Sequence, residues 1–271
     1  MNDFDSQFKT KKQIRFFGRS ISFMDVVPTN LVSEIPIFIA PGWGETPRTF
    51  KDLSRLLFDA GFRVISVAYP RQDLKLITKN NISKLEFQKA EIILAVFEFL
   101  GITKTNTVAH SEGAINAVIA AHIQSTLFAN IILVGPGGLV NNEGFIELVG
   151  RYIGYLIRGG VRAIKEPSLR SKLVRSGIET FKYFLMNPVM SLLEGSAISK
   201  THLEAFLIEL HDRNISICII QGLDDIVFPI EKMKNLTDLK WIDFKHVSGD
   251  HHDIYACPQN YVLLIKDKLI K

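Results

Sequence analysis

Apolar residues gather in short runs that alternate with longer stretches of helical spacing. Ile37–Ala40 is wholly apolar between Pro36 and Pro41-Gly42, as expected of a strand buried on both faces. Val64–Tyr69, Asn106–Ala109, Ile131–Val134, Ser216–Gln221 and Trp241–Val247 read as further strands. Between them, Phe50, Leu53, Leu56, Leu57 and Ala60 form one helical face that Gly61 closes. Ser83-Lys84-Leu85-Glu86 has the form of a capping box and predicts a helix running to Leu100. Ala114–Ile123 and Tyr261–Ile270 are the other helices of this pattern. Near the start, Ile14–Phe17 and Ser20–Val27 flank Gly18 and predict a hairpin. From Asn141 to Phe206 only helical periodicity remains, with several aromatics and no strand.

Strands alternating with helices predict an α/β fold, a mostly parallel central sheet with helices on both faces. The opening hairpin would add an antiparallel edge. The all-helical stretch interrupts the alternation just before the strand that leads to Asp224-Asp225. An insertion there lies above the carboxyl ends of the strands, where open α/β sheets bind ligands. The expected organisation is a core of residues 1–140 and 207–271, with residues 141–206 as a helical cap.

Composition narrows the function classes. The 271 residues are 47% hydrophobic and 22% charged, ordinary globular usage with enough length for a large core. A net charge of +4 without a basic block weighs against nucleic-acid binding. The first residues include acids and no apolar core of a secretory signal, and no run of 18 apolar residues exists. Gly144–Ile157 is apolar enough to face lipid, but Glu147 and Arg151 interrupt it, so membrane contact is not expected. Cys218 and Cys257 make neither a disulfide framework nor a zinc motif. The resulting expectation is a cytoplasmic protein, with a homodimer left open.

Four segments carry candidate chemistry. Ala109-His110-Ser111-Glu112-Gly113 joins a buried strand to a helix of small residues. A nucleophilic serine presented on a sharp strand-to-helix turn needs small neighbours two positions away on each side, which Ala109 and Gly113 supply. Pro41-Gly42-Trp43-Gly44 can turn backbone N–H groups toward an oxygen that becomes negative during acyl transfer; Trp43 and Glu112 are the candidate donors. Gly222–Pro229 holds Asp224 and Asp225, and Gly249-Asp250-His251-His252 holds two imidazoles. A carboxylate and an imidazole at neighbouring strand ends can pair, the acid fixing the histidine tautomer. The spacing alone leaves Asp224 or Asp225, and His251 or His252, open.

The order glycine-rich loop, Ser, Asp, His, each after a strand, resembles the α/β-hydrolase superfamily, in particular its capped serine esterase-like members. The likeness runs from about Ile14 to Ile270. It implies an α/β-hydrolase fold with Ser111 as nucleophile. The family's acid follows the glycine of its motif by three residues with a proline four further on, which selects Asp225 between Gly222 and Pro229. Its histidine commonly follows a short Gly-x segment, which selects His251. Pro41 replaces the usual histidine of the oxyanion loop and Ala109 the usual first glycine of the elbow. The resemblance implies acyl transfer on a small, largely apolar substrate with no metal or organic cofactor. The same residue set in the family also serves thioesterases, carbon–carbon bond hydrolases and haloperoxidases. A small-molecule receptor with little turnover is the alternative from another class.

Overall fold

The computed structural model describes residues 3–70, 78–79, 82–140, 143–186, 188–233, 236 and 239–269. Asn141, where the expected insertion starts, and Ile270, where the closing helix was drawn to end, lie outside the described residues. So does the side chain of Ser83, so the expected capping box is not described.

Eight strands form one sheet: β1 (Lys12–Phe16), β2 (Arg19–Val26), β3 (Ile37–Ala40), β4 (Val64–Ala68), β5 (Thr105–His110), β6 (Phe128–Val134), β7 (Ser216–Gly222) and β8 (Asp243–Val247). Their spatial order is β1-β2-β4-β3-β5-β6-β7-β8. β2 pairs antiparallel with β1 and β4, and all remaining pairings are parallel. This is the mostly parallel sheet with an antiparallel edge that the sequence predicts. The helices are α1 (Phe4–Lys9), α2 (Lys51–Asp59), α3 (Lys84–Phe99), α4 (Glu112–Ile123), α5 (Phe145–Lys165), α6 (Pro167–Met186), α7 (Pro188–Lys200), α8 (Glu204–Asp212), α9 (Asp253–Ala256) and α10 (Pro258–Leu269).

Alternation along each strand divides the core in two. Phe38 and Ala40 of β3 join the cluster beneath α3, α4 and α8, whereas Ile37 and Ile39 join the cluster beneath α1, α2 and α10. Both faces are therefore covered, and the wholly apolar central strands need no polar side. α5, α6 and α7 lie between β6 and β7 in the chain, the all-helical insertion. The boundary expected at 207 falls inside α8, whose Leu207 and Leu210 are buried in the core.

Local details differ from the sequence reading, including the start of β6 at Phe128 rather than Ile131. α1 was not foreseen, because six residues are too short to show a periodic stripe; tertiary contacts hold it, with the Phe4 ring 5.3 Å from that of Phe58. β8 starts at Asp243 rather than Trp241, whose indole stacks on His211 at 4.6 Å instead.

The tightest approach between layers lies where α4 crosses β3. A Cβ at Gly113 would collide with the Ala40 carbonyl oxygen and lie 2.8 Å from that of Pro41. Gly113→Ala is therefore expected to lower stability by about 1–3 kcal/mol in urea unfolding, the usual range for overpacking. Gly150→Ala, where an added Cβ meets nothing within 4 Å inside α5, is expected to raise it by roughly 0.5–1 kcal/mol.

Candidate active site

Ser111 occupies the turn between β5 and α4 with φ 56° and ψ −124°. A non-glycine residue there carries strain on the order of 1–3 kcal/mol, which its surroundings must hold. They do so on both sides: the Ser111 N–H donates to the Val134 carbonyl at 3.1 Å, and its carbonyl accepts from Gly137 N–H at 3.0 Å. The loop after β3 presses against the same turn, since a Cβ at Gly42 would lie 2.7 Å from Ser111 Cβ. Glu45 fixes that loop, accepting from Gly42 N–H at 2.6 Å and from His110 Nδ1 at 2.9 Å. Trp43 is next along that loop, and Glu112, the first residue of α4, directly follows Ser111 in the chain.

The segments after β7 and β8 are tied by backbone bonds, Leu223 N–H to Val247 O at 2.9 Å and Asp224 N–H to Gly249 O at 3.0 Å. Gly222 permits this, because a Cβ there would stand 2.7 Å from the Gly249 carbonyl oxygen. The pairing brings His251 Nδ1 to Asp225 Oδ2 at 2.7 Å. The other oxygen, Asp225 Oδ1, accepts from Val227 and Phe228 N–H at 2.8 and 3.1 Å, and Gln221 Nε2 donates to Oδ2 at 3.3 Å. Burial pushes the Asp225 carboxyl up, but His251 and the two backbone donors more than offset it and leave its pKa below the usual value. Burial likewise opposes charge on His251, yet Asp225, and more weakly Glu45 and Asp250, hold its pKa above the usual value. Asp224 is exposed. His252 points to the insertion, stacked on Tyr155 at 3.7 Å and 3.4 Å from Asp250, with its pKa lowered chiefly by burial. The structure therefore separates the two histidines and the two aspartates that the sequence left open.

Ser111 lies at the same end of the sheet as this pair. The ring of His110 is 4.5 Å from that of His251, and a Cβ at Gly135, the residue after Val134, would be 3.0 Å from both His251 Nδ1 and Asp225 Oδ2. His251 Nε2 is buried without a hydrogen-bond partner among the described residues, so no Ser111–His251 hydrogen bond is formed. Ser111, Asp225 and His251 are all buried, 6%, 5% and 4% exposed. Aromatic residues of the insertion cover the loop: Trp43 packs against Tyr152 at 4.7 Å and Phe184 at 4.9 Å, and Tyr152 OH donates to the Trp43 carbonyl at 3.4 Å.

A buried ionic cluster sits on the other side of the Ser111 turn. The Glu112 side chain pairs with Lys89 of α3, and Lys89 Nζ is 2.9 Å from Glu194 of α7. Tyr183 of α6 donates to Glu194. Burial opposes charge on Lys89, but Glu112 and Glu194 overcome it and hold its pKa well above the usual value. Burial first and Glu112 second push nearby Glu86 far above the usual carboxylate range. Sequence reading missed Lys89, Glu194, Glu45 and His110. For Lys89 a signal existed: it shares a helical face with Leu85, Ile92, Ile93 and Val96, all buried, where an unpaired lysine would not be tolerated. Among the described residues, no group of three or more His, Cys, Asp and Glu side chains is arranged to hold a metal ion.

No protein-family model matches the sequence, and no curated protein sequence is detectably similar to it. Solved structures are similar in fold. A bromoperoxidase from Bacillus anthracis superposes with a TM-score of 0.72 at 17% identity, covering 97% of this chain and 100% of the other. A carboxylesterase from the ammonia-oxidizing thaumarchaeon Nitrososphaera gargenis gives 0.68 at 16% identity, covering 96% and 98%. An α/β-hydrolase enzyme from a Medee basin deep-sea metagenome library gives 0.71 at 14%, also covering 96% and 98%. The chain has the α/β-hydrolase fold over nearly its whole length.

Lys89→Met would leave two buried carboxylates without their cation. It is expected to cost about 3–5 kcal/mol in urea unfolding at neutral pH, with part of the loss recovered when Glu112→Gln and Glu194→Gln are added.

Proposed function

We propose that the chain is a serine hydrolase that cleaves a carboxylic ester or related acyl bond of a small, largely apolar substrate. The observation that carries this reading is the buried His251–Asp225 pair. With Nδ1–H donated to the carboxylate, Nε2 is the basic nitrogen, and it is the ring atom left without a partner beside a strained serine turn. A modest side-chain adjustment on substrate binding would bring the Ser111 hydroxyl to it; catalytic hydrogen bonds are often long before the substrate is in place.

The chemistry follows from those positions. His251 Nε2 takes the Ser111 proton as Oγ bonds to the substrate carbonyl carbon. Asp225 stabilises the imidazolium, and the carbonyl oxygen, now negative, accepts from the Trp43 and Glu112 N–H groups. His251 returns the proton to the leaving group as the acyl bond breaks. Water, deprotonated by the same imidazole, then releases the acid from Ser111. No step requires a metal or cofactor. The aromatic residues around Trp43 favour an apolar acyl part. The similar folds include a carboxylesterase and a bromoperoxidase, so the ester reading rests on the site and not on the fold.

A fluorophosphonate probe is expected to label the protein once, at Ser111, and Ser111→Ala is expected to abolish labelling while lowering kcat on p-nitrophenyl esters by about 10³–10⁶-fold without changing the Tm. Folded protein that takes no label favours a binding protein with little turnover.

Because the base must be neutral and its pKa is raised, kcat/KM is expected to be full above that raised value and to fall as pH drops through it. The acid limb should be displaced upward from the usual histidine value. Asp225→Asn removes the main stabilising charge, so a pH–rate profile should show the limb moving down and kcat falling by roughly 10⁴-fold.

A further inference from the structure

The outer side of the insertion is apolar over two adjacent helices. On α5, Ile146, Ile153, Ile157, Val161 and Ile164 are between 46% and 85% exposed. Together with Gly150 they advance by three or four residues, so they form one face five turns long with no charge on it. On α6, which packs beside α5, Val174, Ile178, Phe181 and Leu185 repeat the pattern, each at least 46% exposed. Scattered exposed apolar residues need no explanation, but two contiguous stripes do. A cleft of about 320 Å³ opens between them, walled by Leu156, Gly160, Gly177 and Phe181 and reaching His252 at its inner end.

Of the two charges that interrupt this stretch in the sequence, Arg151 turns away from the face and Glu147 stands at its edge with its charge paired. Arg151 binds the Glu147 and Glu143 carboxylates and donates to the Val227 carbonyl at 2.9 Å, and Lys232 completes the group. The face is edged by cations of another kind. Arg158 and Lys165 on α5 and Lys182 on α6 are exposed and make no ion pair among the described residues.

We propose that the outer face of the α5–α6 pair docks on the surface of an anionic lipid bilayer. An apolar stripe between unpaired cations suits a helix lying in the plane of the interface, its side chains among the acyl chains and its charges at the headgroups. No helix among the described residues is long and apolar enough to cross a membrane, so the attachment is peripheral. A second copy of the chain fits less well. A two-fold contact sets the patch against itself and brings the same three cations together, while the one carboxylate at that edge of α5, Glu147, is already paired with Arg151 and Lys232.

The test uses full-length Ser111→Ala protein, so that it is independent of the proposed chemistry, in flotation with phosphatidylcholine vesicles with and without phosphatidylglycerol. Binding to the anionic vesicles is expected, about tenfold weaker without the anionic lipid and weakened by salt. The pair Ile157→Asp and Phe181→Asp should abolish binding at an unchanged Tm, whereas Leu263→Asp, at an exposed position on α10, should not. Failure to float with either vesicle, flotation indifferent to the paired substitutions, or a dimer that those substitutions dissociate would each overturn the proposal.

Discussion

The hydrogen bond from His251 Nδ1 to Asp225 Oδ2 joins residues 26 positions apart in the chain, and its consequences come from where it is made. Both partners are buried, so water neither screens the attraction nor competes for the carboxylate. Burial alone would favour a neutral acid and a neutral imidazole. The attraction between Asp225 and His251 tips the balance, and the backbone donors at Val227 and Phe228 add to it by solvating the charged carboxylate in place of water. A fixed negative charge then fixes the proton on Nδ1, and that in turn leaves Nε2 basic. The tautomer, the raised pKa and the orientation of the ring are one fact seen three ways. Gly222 and Gly135 belong to the same fact, because a side chain at either would drive the two loops apart or strike the pair itself.

Much of this was legible in the sequence, and the reason is physical. Strands buried on both faces must be apolar throughout, so the parallel sheet announced itself in runs such as Ile37–Ala40. The nucleophile turn was visible because close passage demands small residues, and Gly113 and Ala109 stand where α4 crosses the sheet. Spacing could not choose between Asp224 and Asp225 or between His251 and His252, since adjacent residues differ only in the direction they face. Three-dimensional register makes that choice: Asp225 turns inward under its backbone donors while Asp224 remains in solvent. The buried cations and acids were harder. A lysine in a helix is read as a solvated group unless its neighbours on the face are counted, and its partners Glu112 and Glu194 lie 23 and 105 residues away along the chain.

That ionic cluster gives Glu112 two separate functions. Its amide opens α4 beside Ser111, while its carboxylate reaches away from the site to Lys89. The side-chain anchor restrains the residue whose backbone flanks the strained serine. Buried ion pairs contribute little net stability when compared with well-packed apolar substitutes, because desolvation offsets most of the attraction. Their effect is geometric: once charges are buried, only one arrangement satisfies all of them. Lys89 therefore links three elements, α4, α3 and α7 of the insertion, with little freedom for any to shift alone.

On the proposed function a substrate must reach Ser111, which is 6% exposed, and the anchors of the insertion differ enough to say which part of it is held least firmly. α7 is held by Lys89–Glu194, a pair 2% exposed on each side, and breaking it by separation costs about 3–5 kcal/mol. α6 is held to the core by Arg175–Asp52 and Arg48–Glu179, whose arginines are 36% and 70% exposed, and such pairs contribute roughly 0–1 kcal/mol each. The Tyr183–Glu194 hydrogen bond ties α6 to α7, worth about 1.5–3 kcal/mol as a bond to a charged group. An outward tilt of α5 and α6 that leaves α7 seated loses these weaker terms, the aromatic contacts of Trp43 with Tyr152 and Phe184, and the links of α5 to the core through Arg162–Asp253 and Arg151–Val227. Lifting all three helices keeps the Tyr183–Glu194 bond but breaks the buried Lys89–Glu194 pair, the costlier of the two. The cheaper motion keeps the Lys89 cluster, and with it the backbone around Ser111, intact while the site is open.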